Sequence, residues 1–466
     1  MTKKTRIEHD AVGELEIDPN VYYGVQSKRA EHNFPITYEK LRPEMIESLA
    51  LVKKACCLAN LRAGALDEKR AEAILQACEE ILAGKFHEDF ICDPIQGGAG
   101  TSANMNANEV IANRATEILG GELGSYDPVH PNDHVNMAQS TNDVFPTSGK
   151  ITVIRLLREA LPKLRDLEAA FRAKAEEFND IVMVGYTQLQ DAVPMRLGQA
   201  FHAYAEAVKR DIAAIEKTEH YMYINNMGGT AIGTGINASK YYLDHINDCL
   251  AEVTGYPMQT ATDLFDGTQN LDSFVIVSSA IKAMAVTLSK ISNDLRLMAS
   301  GPRAAYNLIN LPARQNGSSI MPGKVNPVIP EVVNQVAFNI IGNDVTICMC
   351  AEGGQFELNA FEPVLFYNLF ESIIGLGQAA YTLRVNCIED ITANRDRIQE
   401  MLEGSLVLVT ALVPHIGYEK SADIAHIAMK TGETIRAVTL RETDLTPDQL
   451  NEILNPMKLT HPSNEA

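Results

Sequence analysis

Apolar positions recur along the middle of the chain at spacings of four and three. Val153, Leu157, Ala160, Leu164, Leu167 and Phe171 form one stripe; Phe274, Val277, Ile281, Met284, Leu288, Ile291, Leu295 and Met298 form another. A stripe of this period kept up over three heptads predicts long helices packed side by side, so residues from about 147 to 400 read as helical. Residues 328–352 carry charge only at Glu331, Asp344 and Glu352. A helix apolar nearly all round must be buried on every side. One chain does not supply enough neighbours for that, which predicts an oligomeric helical bundle.

The flanks read differently. Residues 1–40 are polar and irregular, with Tyr22 to Arg29 as their notable feature, and 41–84 read as two helices separated near Gly64. A glycine loop, Gln96-Gly97-Gly98-Ala99-Gly100, opens a helix through Thr101 to Asn106. Pro128 and Pro131 forbid helix around His130 to His134, so that stretch reads as loop, continuing through Gln139-Ser140-Thr141-Asn142-Asp143 to a helix start near Pro146. Strand signals are few and short. Beyond about 400 the helices shorten, punctuated by Gly404, Pro414 and Gly417. Thr446-Pro447-Asp448-Gln449-Leu450 starts a last helix, and Pro462 marks a polar tail.

With 466 residues, 46% of them hydrophobic, the chain can build a large core in two or three domains. A formal net charge of −20 argues against nucleic acid or an anionic membrane as partner, and requires any anionic substrate to meet a local cluster of donors. Eight cysteines without a C-x-x-C pair lie mostly in apolar runs, as reduced thiols of a cytoplasmic protein would. The N-terminal residues lack an apolar signal region, and the longest apolar stretch, near 406–413, is too short to span a bilayer.

The densest chemistry lies in Gly317-Ser318-Ser319-Ile320-Met321-Pro322-Gly323-Lys324-Val325-Asn326-Pro327, which gathers two hydroxyls, an ammonium and an amide between two long helices. Such loops collect backbone and side-chain donors around an anion; an ordinary helix connector has much the same composition. It is not a phosphate loop, because Val325 follows Lys324 where a hydroxyl is needed. Gly228 to Gly235 is glycine-rich but follows no strand signal, so a structural turn is the simpler reading. Thr101, Ser102 and the 140–142 run could be plain helix caps. His130 and His134 lie four apart in a proline-bounded loop without H-E-x-x-H, so no metal site is expected. Thr187-Gln188-Leu189-Gln190-Asp191-Ala192-Val193-Pro194-Met195 reads as a polar loop between helices. Four donor-rich loops at the ends of long helices are what a bundle could bring together.

These stretches together resemble the aspartase/fumarase superfamily. The 317–327 loop is similar to its signature loop nearly letter for letter. Residues 98–106, and 130–136 followed by 139–143, are similar to its other two blocks, and the resemblance runs from about Ile7 to the C-terminal region. Within the superfamily the chain looks most like the ammonia-lyases acting on aspartate: Gln188 stands where fumarases carry histidine. Tyr186 departs from the arginine of many relatives.

The resemblance implies an all-α, three-domain fold. Its segments would be 1–142, 143–397 with the signature loop, and 398–466, with a central five-helix bundle forming the twenty-helix core of a homotetramer whose sites are shared between subunits. It implies reversible deamination of a small dicarboxylate, L-aspartate, to fumarate and ammonia. The alternatives are a fumarate hydratase or a catalytically silent structural homologue. It further implies Ser318 as base, and Thr101, Ser140, Thr141 and Ser319 holding the β-carboxylate. Thr187, Lys324 and Asn326 would hold the α-carboxylate, and Asn142 with Gln188 the amine, with Arg29 and His134 in support. No cofactor is required; some members respond to Mg²⁺, but no ligand cluster marks such a site.

Overall fold

The computed structural model describes residues 5–461. A hairpin, β1 (Arg6–Asp10) and β2 (Gly13–Ile17), opens the chain, followed by α1 (Val25–Asn33), α2 (Pro43–Arg62), α3 (Glu68–Leu82) and α4 (Thr101–Ile118). Next come α5 (Thr141–Glu177), a second hairpin of β3 (Val182–Thr187) and β4 (Gln190–Arg196), and α6 (Leu197–Tyr223). β5 (Ile224–Asn225), α7 (Lys240–Thr254), β6 (Gln259–Thr260), α8 (Leu264–Gln269) and α9 (Asp272–Met298) lead through β7 (Ile309–Asn310) to α10 (Val328–Glu352) and α11 (Glu362–Asn386). β8 (Thr392–Ala393) and α12 (Arg395–Gly404) precede four short helices, α13 (Val413–Ile416), α14 (Tyr418–Thr431), α15 (Ile435–Glu442) and α16 (Pro447–Ile453). The chain is mostly helical; among the described residues the strands form only two-stranded pairs. The Pro462 tail lies outside the described residues.

The described chain forms two compact units. One comprises residues up to Leu161, Ala213–Ala283 and Phe338–Leu376; the other comprises Pro162–Ile212, Met284–Ala337 and residues from Gly377 onward. The boundaries fall within the five longest helices, α5, α6, α9, α10 and α11, of 25 to 37 residues each. In the first unit Phe366 packs against Phe145 and Phe274, and Asp344 of α10 accepts from Ser278 and Lys282 of α9. In the second, Phe171 packs against Phe201 and Tyr204, and Asn334 of α10 donates to Ser289 of α9. The stripe positions of α5 and most of those of α9 are buried. A separate C-terminal core joins Leu412, Ile424, Ile435, Val438 and Leu450, and Thr446 with Gln449 forms a capping box on α16.

Four expectations need correction. Within the 1–40 region residues 6–17 form a hairpin and 25–33 a helix, and the 187–195 stretch belongs to a second hairpin that turns on Gln188 and Leu189, with φ of +55° and +61°, as a two-residue hairpin turn requires. Helix α5 begins at Thr141 rather than near Pro146. Proline would leave the Asn142 carbonyl without its intrahelical donor, but the Asn226 side chain supplies one at 2.9 Å. His130 to His134 is not plain loop: Pro131 to Val135 form one π-type turn, since proline is tolerated at a first helical position. As the apolar run of 328–352 leads one to expect, α10 is not covered on all sides by this chain: Phe338, Val345 and Met349 are 63%, 58% and 68% exposed. α9 is long and apolar enough to cross a membrane by composition alone, and half of its most apolar window is buried within the protein.

Candidate active site

Helix α4 lies deep in the first unit and is buried nearly all round although it is polar. Most polar groups on it are therefore paired, Asn104 Oδ1 and Asn108 Oδ1 being the buried exceptions among the described residues. Asn113 donates to Tyr22 O and accepts from Gly124 N; Asn106 bridges Ile91 N and Asp89 O. Glu109 accepts from Gly24, Gln26 and Ser27, pinning the start of α1, while burial pushes its carboxyl up to about 7.

On the same helix Asn104 and Asn108 converge on Asn136, whose Oδ1 takes their amides at 3.2 and 3.1 Å and the fully buried Lys53 ammonium at 2.9 Å. Lys53 also bonds Gln139 at 2.7 Å, and burial lowers its pKa to about 8. This network supports residues 139–143 from below. Asn104 donates to Thr141 Oγ1 at 3.0 Å, and Ser140 Oγ accepts from Asn142 N at 3.2 Å. Both hydroxyl oxygens thus act as acceptors internally, which leaves each hydroxyl proton free to donate to an anion. Thr101 is exposed at the start of α4 and donates to Gly98 O at 2.7 Å, rather than capping the helix. Rotation about χ1 would free it for a ligand. Asp143 is fully buried and accepts from three backbone N–H groups, of Ser140, Gly228 and Thr230; burial nevertheless raises its carboxyl to about 7.

The 317–327 loop belongs to the second unit and is built from its own backbone. Ser318 Oγ accepts from Ile320 N at 3.2 Å and Met321 N at 2.9 Å. Asn326 Nδ2 closes the loop on Gly317 O at 2.6 Å. Only glycine fits at 317, since a Cβ there would lie 2.1 Å from Lys324 O. Arg314 anchors the approach on Val385 O, Asn386 O and Asp390. Residues 313–318 and 321–325 line a cavity of about 510 Å³, with Ser318 and Lys324 on its wall. Thr187 and Gln188 stand exposed at the tip of the second hairpin, in the same unit.

The expected site residues therefore fall into two sets. Thr101, Ser140, Thr141 and Asn142 are gathered in the first unit; Thr187, Gln188, Ser318, Ser319, Lys324 and Asn326 belong to the second. Arg29 is committed to the first hairpin, bonding Asp10 and Gly13 O. His134 accepts from His130 N at 2.8 Å, and burial lowers its pKa. Lys53, Asn104, Asn136 and Asp143 escaped sequence reading, although Asn104, Asn136 and Asp143 lie inside the motif blocks. Tyr186, the departure from the family pattern, packs edge-on against Tyr306 at 5.4 Å. Among the described residues no group of three or more His, Cys, Asp or Glu is placed to hold a metal ion.

A mostly helical fold with hydroxyl- and amide-rich turns in one unit and a serine loop in the other is what comparison with known proteins assigns to the lyase class. Residues 13–342 match the lyase family model and residues 408–461 that of the fumarase C C-terminus; the chain belongs to this lyase family. It is 52% identical over 462 residues to an aspartate ammonia-lyase of Bacillus sp, covering 99% of each chain. Among solved structures, a fumarate lyase:delta crystallin from Brucella melitensis bound to cobalt is 45% identical, with a TM-score of 0.96 over 98% of this chain and 100% of the other. A class II fumarase from Schistosoma mansoni is 33% identical, with a TM-score of 0.95 over 99% and 100%.

Proposed function

We infer that the chain is an aspartate ammonia-lyase, a carbon–nitrogen lyase converting L-aspartate reversibly to fumarate and ammonia. Full-length identity near 50% to proteins of that name supports this reading over the hydratase, for which the fumarase relative is 33% identical. The observation that carries the chemistry is the pair of backbone N–H groups directed at Ser318 Oγ.

A carbon next to a carboxylate is a very weak acid. Removing its proton creates an aci-carboxylate with two negative charges on one group, so donors must already be in place; each can be worth about 3–4 kcal/mol of barrier. Ser318 takes the Cβ proton as an alkoxide, favoured by the N–H groups of Ile320 and Met321. Thr101, Ser140, Thr141 and Ser319 bind the β-carboxylate, where charge accumulates. Thr187, Lys324 and Asn326 bind the α-carboxylate, and Asn142 and Gln188 hold the amine. The Cα–N bond then breaks, ammonia leaves, and the electron pair closes the double bond of fumarate. The 317–327 loop closes over the substrate as a lid, with Gly323, at φ +79°, free to turn.

The enzyme works as a homotetramer with a twenty-helix core and shared sites. The exposed apolar face of α10 supports this reading, since such patches mark interfaces. A charge on that face, Val345→Glu, should dissociate the assembly in light scattering; an intact tetramer would move the interface elsewhere. We propose a cytoplasmic location, which the seven buried free cysteines suit. No cofactor is needed. No step runs through a metal, and a Mg²⁺ response of the kind some family members show is tested by comparing the rate with chelator and with added Mg²⁺.

The deciding assay follows the absorbance of fumarate with L-aspartate and L-malate offered separately. A signal from aspartate is expected. A signal from malate alone would make the chain a hydratase.

A further inference from the structure

The glycine-rich run Gly228-Gly229-Thr230-Ala231-Ile232-Gly233-Thr234-Gly235 has no part in the mechanism above. It forms a tight turn between β5 and α7, in which Gly229 O accepts from both Gly233 N and Gly235 N, at 2.9 and 3.2 Å. The turn presses on α8. Gly233 has φ +123°, and a Cβ there would lie 2.7 Å from Phe265 N.

This turn grips the start of α5 at four points. Gly228 N and Thr230 N donate to Asp143 Oδ2 at 3.3 and 3.0 Å. Asn226, just before the turn, donates to the Asn142 carbonyl that Pro146 leaves without its helical donor. Asn142 Nδ2 donates to Ala231 O at 2.7 Å. That last contact has one consequence for orientation. A peptide carbonyl can only accept, so the amide nitrogen of Asn142 must face the turn and Oδ1 must face away. No donor among the described residues is bonded to that Oδ1. An ammonium group carries only donors and a positive charge; it binds an amide oxygen and is repelled by an amide NH₂.

We propose that the 226–235 turn is a positioning element that locks Asn142 with its amide oxygen outward, making the site an acceptor for the substrate's ammonium group. Ala231 acts through its carbonyl and Asp143 by clamping the turn to the helix start; neither touches substrate. The proposal rests on Asn142 as the amine contact.

Two variants disturb the turn without touching Asn142. Gly233→Ala drives a Cβ into the backbone of α8, and Asp143→Asn sets an NH₂ against backbone N–H groups. The test compares the KM for L-aspartate with the inhibition constant of succinate, which has both carboxylates and no amine. Both variants should raise the aspartate KM by roughly tenfold or more, the size of a lost hydrogen bond to a charged group, while succinate inhibition stays within about twofold. Equal weakening of both ligands would overturn the proposal, because the turn would then only hold the fold. An unchanged aspartate KM in folded Gly233→Ala protein would overturn it as well, whether or not Asp143→Asn folds. Asn142→Ala, measured alongside, separates the two levels: if it leaves the aspartate KM unchanged, Asn142 is not the amine contact; if it raises the KM while the turn variants do not, only the positioning role fails.

Discussion

The stretch 101–143 and the loop 317–327 are both rich in hydroxyls and amides, yet the protein holds them in opposite ways. The first rests on a buried helix. Its Thr141 hydroxyl is aimed by Asn104, its turn stands on a lysine with no exposed surface, and Asp143 meets three backbone donors. The second is exposed along most of its length and is held by its own backbone, by Asn326 on Gly317, and by Arg314 at its approach. Burial of the first and exposure of the second suit the different tasks proposed for them. Donors that stabilise accumulating charge must not reorganise during the reaction, whereas a base on a closing loop must admit substrate and release product. On the mechanism proposed above, changes in the first stretch are expected to tell on stability and changes in the second on turnover.

The sharpest test of that division is Ser318→Ala. It should lower kcat roughly 10²- to 10⁴-fold with no change in the thermal midpoint; substantial remaining activity would remove Ser318 as base. The converse is Asn136→Leu, which removes the acceptor shared by the Lys53 ammonium and the Asn104 and Asn108 amides. Urea unfolding should show a loss of about 3 kcal/mol. Normal stability with lost activity would break the comparison. Lys324→Met keeps the length and removes the charge; it should cost a further order of magnitude or so in kcat/KM, read in steady-state kinetics, without a stability change. Unchanged KM and kcat would free Lys324 from any role.

The smallest effect concerns pH. Burial raises the folded-state pKa of Glu109 above its ordinary value of 4.5, to about 7. The native state then binds more protons than the unfolded one between about pH 4.5 and 7, so this group's contribution to stability is complete below that window and is lost as pH rises through it. Asp143 acts in the same direction from 3.8. Glu109→Gln should flatten the fall in thermal midpoint across that range; an unchanged slope would assign it to other groups.

Much of the candidate chemistry was legible because it lies in contiguous blocks. Residues 98–106, 139–143 and 317–327 carry their donors within a few positions, and the long helices announce themselves by period. What escaped reading was whatever depends on a partner far along the chain. Lys53 looks like any lysine of α2 until Asn136 and Gln139, more than 80 residues later, turn out to hold it. Gln188 and Leu189 seemed a polar loop because a two-residue turn with positive φ at non-glycine positions leaves little mark in composition.

By itself, then, the order of apolar and polar residues determined a mostly helical chain with long central helices and named the blocks where substrate would be met. Period and local composition are properties of short stretches, and short stretches are enough to read them. Only the tertiary structure decided that Pro146 would stand inside a helix, that Asn226 would take the carbonyl it releases, and that Ala231 would turn the Asn142 amide outward. The last two are hydrogen bonds between groups more than 80 residues apart. Packing, rather than sequence neighbourhood, selects which buried donor meets which acceptor, because a polar group cut off from water has to pair with whatever the fold brings beside it.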